Sequence, residues 1–253
     1  MSKIMAHRGA RNLWAENSLL GFRNILGRGF AAVEFGVHLT DVGEMVVIHD
    51  ATLERTTDAT GPVRALTPEA RRTIRLRGPD GALTNEHLPS LDEVLTVLGA
   101  DPGIELWVEL KPDPQGRPYP GLVERAIGML ARHGLANRAA LHSFDITEVE
   151  AIRRHAPNLR RLISVNAEWA DRQGGIAAFL RRVDDLVDVV GIHHALFEAE
   201  FDTITALRRL DRCSVWTIND PDLIRRWIAR GPGYLVSDDP VLVQALQAES
   251  RAA

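Results

Sequence analysis

Residues 33–49 read VEFGVHLTDVGEMVVIH, in which two short apolar runs flank a polar turn. Successive side chains of a strand point to opposite faces, so the apolar members of the first run share one face, suited to packing under helices: Val33, Phe35, Val37 and Leu39. The opposite face, which would point inward in a barrel, carries Glu34, Gly36, His38 and Thr40. This predicted strand therefore buries one face and presents polar groups on the other.

The second run, 45–49, follows the first after a connection of only four residues, 41–44. Such a connection is far too short for a parallel crossover, so we expect the run to return as the second arm of a hairpin. If the turn centres near Val42 and Gly43, His49 pairs across from Gly36 and lies near Glu34.

Similar apolar runs recur along the chain and alternate with amphipathic segments. The strand candidates are 3–7, 33–39, 104–110, 139–144, 161–165, 188–193, 214–218 and 234–237. This alternation is typical of βαβ units, and eight strands in about 250 residues favour an α/β fold of the (β/α)8 TIM barrel type. We expect one barrel domain over residues 1–253. A doubly wound sheet is the alternative, but no GxGxxG turn follows the first strand.

Two further features concern the connections between strands. Ser90 with Glu93, and Asp145 with Glu148, have the spacing of capping boxes and predict helix starts. The segment 51–89 has no clean period and is rich in Thr, Gly and Pro, so we expect a small insertion between the hairpin and the third barrel strand.

Composition excludes several classes of protein. Lys and Arg number 30 against 34 Asp and Glu, and the resulting net charge of -4 argues against a nucleic-acid partner. The single cysteine, Cys213, excludes a disulfide framework and a cysteine-based zinc site. No run of about 18 apolar residues and no signal-peptide core is present, so we expect a cytoplasmic protein without stable membrane insertion.

Polar residues gather where the predicted strands end, which is where barrel enzymes carry their catalytic groups. These residues include two carboxylates, two imidazoles and two cations: Glu34 and Glu109, His7 and His49, Arg8 and Lys111. The carboxylates could hold a hard divalent cation such as Mg²⁺ or Ca²⁺, and the imidazoles could exchange protons near neutral pH. The cations could bind an anionic group. Such a set suits hydrolysis of a phosphate ester.

Several stretches resemble, in the correct order, motifs of the glycerophosphodiester phosphodiesterase family, one of the phosphatidylinositol-phospholipase-C-like phosphodiesterase barrels. Residues 6–22, AHRGARNLWAENSLLGF, are similar to its HRG…ENT…AF opening, and residues 33–57 are similar to its E-x-D…HD-x-x-L-x-R-T-T stretch. Further similarities are LPSLDEVL, VELK, HSFD, VWTIND and VSDDP. The resemblance implies a (β/α)8 barrel that uses a divalent metal to hydrolyse glycerophosphodiesters to sn-glycerol 3-phosphate and an alcohol.

Carried over residue by residue, the resemblance assigns roles to the same six side chains: His7 and His49 as the acid/base pair, Arg8 and Lys111 as phosphate contacts, Glu34 and Glu109 as metal ligands. Asp50 would support the neighbouring His49. Asn17 stands where the family has the asparagine of ENT, and it would fix the loop that carries His7.

The chain departs from the family pattern at Gly36, where the E-x-D motif has its second metal-binding carboxylate. Glycine has no side chain to coordinate an ion, so we expect a weakly bound Mg²⁺ or Ca²⁺ whose shell is completed by water or another ligand. His38 lies on the same predicted face as Glu34. It could supply a compensating nitrogen ligand, or it could be a solvated histidine at the strand end.

Three functions remain open at this point. The first is metal-dependent hydrolysis of a small-molecule glycerophosphodiester. The second is a lysophospholipase D-like phosphodiesterase, which needs an apolar groove or a membrane-facing patch at the barrel mouth. The third is a degenerate barrel that binds phosphodiesters with weak or no turnover, because Gly36 replaces a metal ligand.

Overall fold

The computed structural model describes residues 1–252 of the chain. Its strands are β1 (Lys3–His7), β2 (Ala32–Leu39), β3 (Met45–Val47), β4 (Arg75–Arg77), β5 (Leu83–His87), β6 (Glu105–Leu110), β7 (Ala139–Ser143), β8 (Arg160–Val165), β9 (Val189–His193), β10 (Cys213–Trp216) and β11 (Tyr234–Ser237).

The α-helices lie between these strands and follow the last one. They are α1 (Leu19–Ile25), α2 (Pro68–Arg71), α3 (Leu91–Gly99), α4 (Leu122–Arg132), α5 (Ile146–His155), α6 (Ala167–Arg172), α7 (Ile176–Val183), α8 (His194–Ala199), α9 (Phe201–Leu207), α10 (Pro221–Arg230) and α11 (Pro240–Ala252). Within residues 1–252, every helix is too short or too polar to cross a membrane.

Eight of the strands form a closed parallel barrel in the order β1-β2-β6-β7-β8-β9-β10-β11. The barrel closes because β1 pairs with β2 on one side and with β11 on the other. The predicted (β/α)8 barrel is confirmed. Each predicted strand corresponds to an observed strand, and both of its ends lie within two residues of the observed ends. Parallel closure brings the carboxyl ends of all eight strands to one mouth.

Alternation along the strands separates two apolar layers. The outward layer packs under the helices and includes the predicted apolar face of β2 together with the apolar face of β6: Val33, Phe35, Val37, Leu39, Leu106, Val108 and Leu110. The inward layer fills the barrel with Met5, Ala32, Trp107, Ala140, Leu162, Val189, Tyr234 and Val236. This inner layer fills the barrel below the mouth, so the polar strand ends lie above a packed apolar core.

The hairpin arm β3 pairs with β2 in antiparallel fashion, as predicted, but the predicted register is wrong by one residue. Val37 lies opposite Val47, and the Ile48 N–H donates to the carbonyl of Gly36, so His49 is not the partner of Gly36. The shift arises in the turn, where Thr40 N–H donates to the Glu44 carbonyl and the turn centres on Val42.

The segment 51–89 contains α2 and the small hairpin β4–β5. Apolar side chains of this segment pack against Val46 and Ile48 of the hairpin arm. The cluster they form includes Leu53, Val63, Leu66, Ile74, Leu76 and Leu88. This cluster fixes the backbone that leads into His49.

Of the two predicted capping boxes, one is confirmed and one is wrong. Ser90 and Glu93 cap α3 reciprocally. At the start of α5, Asp145 accepts from the Thr147 N–H, but Glu148 accepts instead from the Ser143 hydroxyl at 2.6 Å. Glu148 therefore turns inward and is buried.

Candidate active site

The mouth of the barrel holds a pocket lined by polar groups from several strands. All six side chains predicted for the site line it, together with a third imidazole: His7, Arg8, Glu34, His49, Glu109, Lys111 and His142. Phe144 and Trp216 form an apolar wall, with their rings 5.7 Å apart in an edge-to-face arrangement. The pocket thus combines charged groups with an apolar side.

His7 ends β1 and is held by Asp238, which directly follows β11. Its Nδ1 lies 2.5 Å from Asp238 Oδ1, and the other oxygen of this fully buried carboxylate accepts from Asn219 Nδ2 at 2.8 Å. Burial opposes ionisation, yet the hydrogen bond from His7 and the charge of Arg11 lower the pKa of Asp238 to about 2. Since an ionised carboxylate only accepts, Nδ1 carries the proton. Nε2 then faces the pocket, 3.6 Å from Glu34 Oε2.

His49 is held in the same way by a different carboxylate. Its Nδ1 lies 2.7 Å from Asp50 Oδ1, and Asp50 is in turn bound by the guanidinium of Arg55, which also bridges to Glu16. Burial and the nearby positive charge of Lys111 lower the pKa of His49. Each of the two predicted acid/base histidines is therefore oriented at Nδ1, so its Nε2 is available for proton exchange.

Glu34 is the third residue of β2 and is buried. Its Oε2 accepts weakly from the Arg8 N–H at 3.4 Å, and its Oε1 lies 3.7 Å from His142 Nε2. Burial would raise the pKa of this carboxyl, but His142, His7 and the charge of Lys111 hold it well below its ordinary value. Glu34 is thus a buried anion available to a cation.

Glu109 and Lys111 form a close buried pair, with Lys111 Nζ 2.5 Å from Glu109 Oε2. Burial alone would raise the pKa of Glu109, and the lysine charge is the main influence that lowers it. The stem of Lys111 also fills the space beside Gly36. A Cβ at position 36 would lie 2.6 Å from Lys111 Cε and 3.1 Å from its Cγ. A side chain at position 36 would therefore displace Lys111.

The loop after β1 has an unusual backbone. Three non-glycine residues adopt positive φ: Arg8 (51°), Ala10 (69°) and Asn17 (58°). This conformation is costly and is often retained where it positions functional groups. The Asn17 N–H donates to the Arg8 carbonyl at 2.8 Å, and Arg8 Nη1 lies 3.3 Å from Glu16 Oε1. Asn17 therefore contacts the loop it was expected to fix, through its backbone.

The structure does not place His38 where it could compensate for Gly36. Its Nδ1 lies 3.2 Å from the Tyr119 hydroxyl, and its Nε2 lies 3.1 Å from the His49 carbonyl oxygen. Burial lowers its pKa to about 4. His38 is neither a solvated strand-end residue nor a member of the carboxylate cluster, because both of its nitrogens are engaged in holding the hairpin.

Two polar residues of the site had no predicted role: His142, which lines the pocket, and Asp238, which lies behind His7. His142 lies on β7 directly beside Glu109. Side chains alternate along β7 as they do along β2. Because Leu141 packs outward under the helices, the next side chain, that of His142, points into the barrel. Asp238 belongs to the VSDDP motif, but its contact with His7 depends on the pairing of β11 with β1.

Three buried side chains can together hold a divalent cation. Glu34, Glu109 and His142 each offer one ligand atom, and these atoms lie within 4.8 Å of one another. Ligand atoms about 2.1 Å from a common divalent ion lie roughly 3–4 Å apart, so a small inward movement completes the site. Among the described residues, neither ring nitrogen of His142 has a hydrogen-bond partner. The donor set and this unpaired imidazole fit a metal ion.

The barrel mouth brings together two imidazoles oriented by carboxylates, two cationic side chains and a buried group of two carboxylates and an imidazole, an arrangement typical of a phosphoric diester hydrolase. A family model, the glycerophosphoryl diester phosphodiesterase family, matches residues 7–242. The chain belongs to this family.

Individual relatives agree with this assignment. A glycerophosphodiester phosphodiesterase of Caldanaerobacter subterraneus is 30% identical over 239 residues, which cover 94% of each chain. A solved structure from Agrobacterium tumefaciens, provisionally named a glycerophosphoryl diester phosphodiesterase, matches all of both chains with a TM-score of 0.86 and 26% identity. A phosphodiesterase of Oleispira antarctica, solved with the product sn-glycerol-3-phosphate, shares the fold with a TM-score of 0.79 and 24% identity, over 97% of this chain and 96% of that one.

Proposed function

We propose that this chain hydrolyses glycerophosphodiesters to sn-glycerol 3-phosphate and an alcohol, with a bound divalent cation and with His7 and His49 as the acid/base pair. One observation supports this most directly: each imidazole has its Nδ1 held by a carboxylate, and both line the pocket that contains Arg8 and Lys111. The product bound by the Oleispira enzyme has the chemistry that such a pocket would hold.

Arg8 and Lys111 bind the phosphate. Both are more than nine-tenths buried and line the same pocket, so their charges act in a medium of low effective dielectric constant. As negative charge accumulates on the phosphoryl oxygens in the transition state, these two cations stabilise it without needing to reorganise.

Glu34 and Glu109, with His142 beside them, would hold the divalent cation, which would supply further positive charge to the phosphoryl oxygens. The ion pair from Lys111 to Glu109 Oε2 leaves Oε1 of Glu109 as the oxygen not engaged by the lysine. The same glutamate can therefore bind the lysine and the ion together.

The two histidines move the protons. One Nε2 accepts the proton of the attacking hydroxyl while the phosphorus–oxygen bond forms, and the other protonates the departing alkoxide as its bond to phosphorus breaks. The ionised carboxylates of Asp238 and Asp50 stabilise whichever imidazole is positively charged. The attacking hydroxyl is that of water or the neighbouring hydroxyl of the glycerol, which would first give a cyclic phosphate.

The test is product release from glycerophosphocholine, with bis(p-nitrophenyl) phosphate as a generic diester. Purified protein should release sn-glycerol 3-phosphate and choline in equal amounts when a divalent metal is supplied, and a chelator should stop the release. The His7→Ala variant is the control for a contaminating activity. Binding of glycerophosphocholine without release, with every metal supplied, would refute the proposal and support a degenerate binding barrel.

A further inference from the structure

At its metal site this chain differs from the family pattern, and the difference involves three positions at one level of the barrel. Gly36 on β2 is in register with Glu109 on β6, and Glu109 is in register with His142 on β7. Glu109 therefore has one neighbour on each side. The first has no side chain, and the second is an imidazole.

On the β2 side of Glu109, position 36 supplies no ligand, and the stem of Lys111 occupies the space that a side chain there would use. The ammonium group of Lys111 binds Glu109 from there. This side of the cluster is positively charged and filled by protein atoms.

On the β7 side, the imidazole of His142 points at the carboxylates. Its side chain is only 6% exposed, and Nε2 lies 3.7 Å from Glu34 Oε1, too far for a hydrogen bond. Neither ring nitrogen is paired with another group within residues 1–252. A buried polar group without a partner is costly, and a shared metal ion would provide that partner.

We propose that His142 is the third protein ligand of the cation, in place of a carboxylate at position 36, and that this substitution makes the site selective for a divalent transition ion such as Mn²⁺ or Zn²⁺ over Mg²⁺ and Ca²⁺. The use of the ion in hydrolysis rests on the proposed function, but the ligand set does not. Imidazole nitrogen suits Zn²⁺ best of these ions and Mn²⁺ less well, whereas Mg²⁺ and Ca²⁺ prefer oxygen. The cluster has two carboxylates and one neutral ligand, so it carries less negative charge than three carboxylates would. It therefore attracts Mg²⁺ and Ca²⁺ less strongly.

Metal binding to the purified, metal-stripped full chain tests this without substrate. Titration calorimetry with Mg²⁺, Mn²⁺ and Zn²⁺ should give at least roughly 100-fold tighter binding of Zn²⁺ than of Mg²⁺, with the affinity for Mn²⁺ between the two. Pulsed electron paramagnetic resonance of the Mn²⁺ complex should show coupling to a directly bound nitrogen. This measurement on the unaltered chain does not depend on whether a variant folds.

Two histidine variants identify the nitrogen. His142→Ala should weaken Mn²⁺ binding by about 10–100-fold or more, change Mg²⁺ binding by less than about 3-fold and abolish the nitrogen coupling. His38→Ala is the matched control, since His38 is a buried histidine near the pocket with both nitrogens engaged, and it should retain the coupling.

The inference is overturned by a Mn²⁺ complex without nitrogen coupling, by coupling that persists in His142→Ala, or by Mg²⁺ binding as tightly as Mn²⁺. Those outcomes leave the proposed hydrolysis standing if Mg²⁺ supports product release. Conversely, nitrogen coupling lost only in His142→Ala, in a protein that releases no product, supports the ligand assignment and refutes the proposed function.

Discussion

Glu148 should make the fold less stable as the pH rises through neutrality. Burial, together with the negative charges of Asp145 and Glu109, raises its pKa from 4.5 to about 7, although the Ser143 hydroxyl donates to it. Below pH 4.5 the carboxyl is protonated in both states and has no effect. Between 4.5 and 7 the unfolded chain releases the proton while the folded chain retains it, so rising pH favours unfolding. Above pH 7 the cost is constant.

The size of the effect follows from the same values. One pKa unit corresponds to about 1.36 kcal/mol, so Glu148 costs roughly 3 kcal/mol above pH 7, of which about 2.5 kcal/mol develops between pH 5 and pH 8. Glu148→Gln removes this titration. An amide at this position has its own packing cost, but that cost is independent of pH and cancels when two pH values are compared.

The assay is urea unfolding followed by circular dichroism at pH 5 and pH 8, in the presence of a chelator. Relative to the unaltered chain, Glu148→Gln should gain about 2.5 kcal/mol on going from pH 5 to pH 8. Glu150→Gln is the matched control, because Glu150 lies on the same helix and is exposed, and its effect should stay within about 0.5 kcal/mol. If the stability difference between Glu148→Gln and the unaltered chain changes as little between pH 5 and pH 8 as that of the control, the reasoning is refuted.

Three further predictions concern the pocket. His7→Ala and His49→Ala should each reduce turnover of glycerophosphocholine by roughly 10²–10⁴-fold while circular dichroism shows an intact fold; near-full activity would exclude that residue from proton transfer. Asp238→Asn should reduce kcat by roughly 10²-fold or more with little change in KM, since the imidazolium loses its counter-charge, and an unchanged kcat with an unchanged pH profile would contradict this role. Arg8→Ala and Lys111→Ala should weaken binding of sn-glycerol 3-phosphate in calorimetry more than they lower the melting temperature; unchanged affinity would place the anion elsewhere.

The sequence predicted the barrel well because its signals are local. Strand positions, outward faces and the Ser90 cap depend on periodicity or on residues a few positions apart, and the strand-end rule brought His7 and Glu109 to the same mouth. The predicted register of the hairpin was wrong because it depended on which residues close the turn. Thr40 and Glu44 close it with Val42 at the centre, half a position from the expected centre, and this shifts the pairing by one residue.

The features that the sequence did not predict depend on side-chain conformations and on contacts between different elements. That Lys111 fills the space beside Gly36 depends on the conformation of one long side chain, which alternation along a strand does not specify. Glu148 turns toward Ser143 instead of capping its helix, and this contact determines its buried environment. The capping pattern alone did not indicate the contact, because the competing hydroxyl belongs to the preceding strand. His142 is different, since the alternation in 139–144 already indicated its direction.

The pairing of β1 with β11 has a consequence for how the activity would be lost. His7 and its carboxylate partner are 231 positions apart in the chain, and they meet only across this one seam of the barrel. Proteins open locally before they unfold globally, and a fluctuation that separates these two strands uncouples an imidazole from its counter-charge while the other seven seams remain paired. Catalytic activity would then depend on closure of the barrel. It would be lost at a lower denaturant concentration than most of the secondary structure.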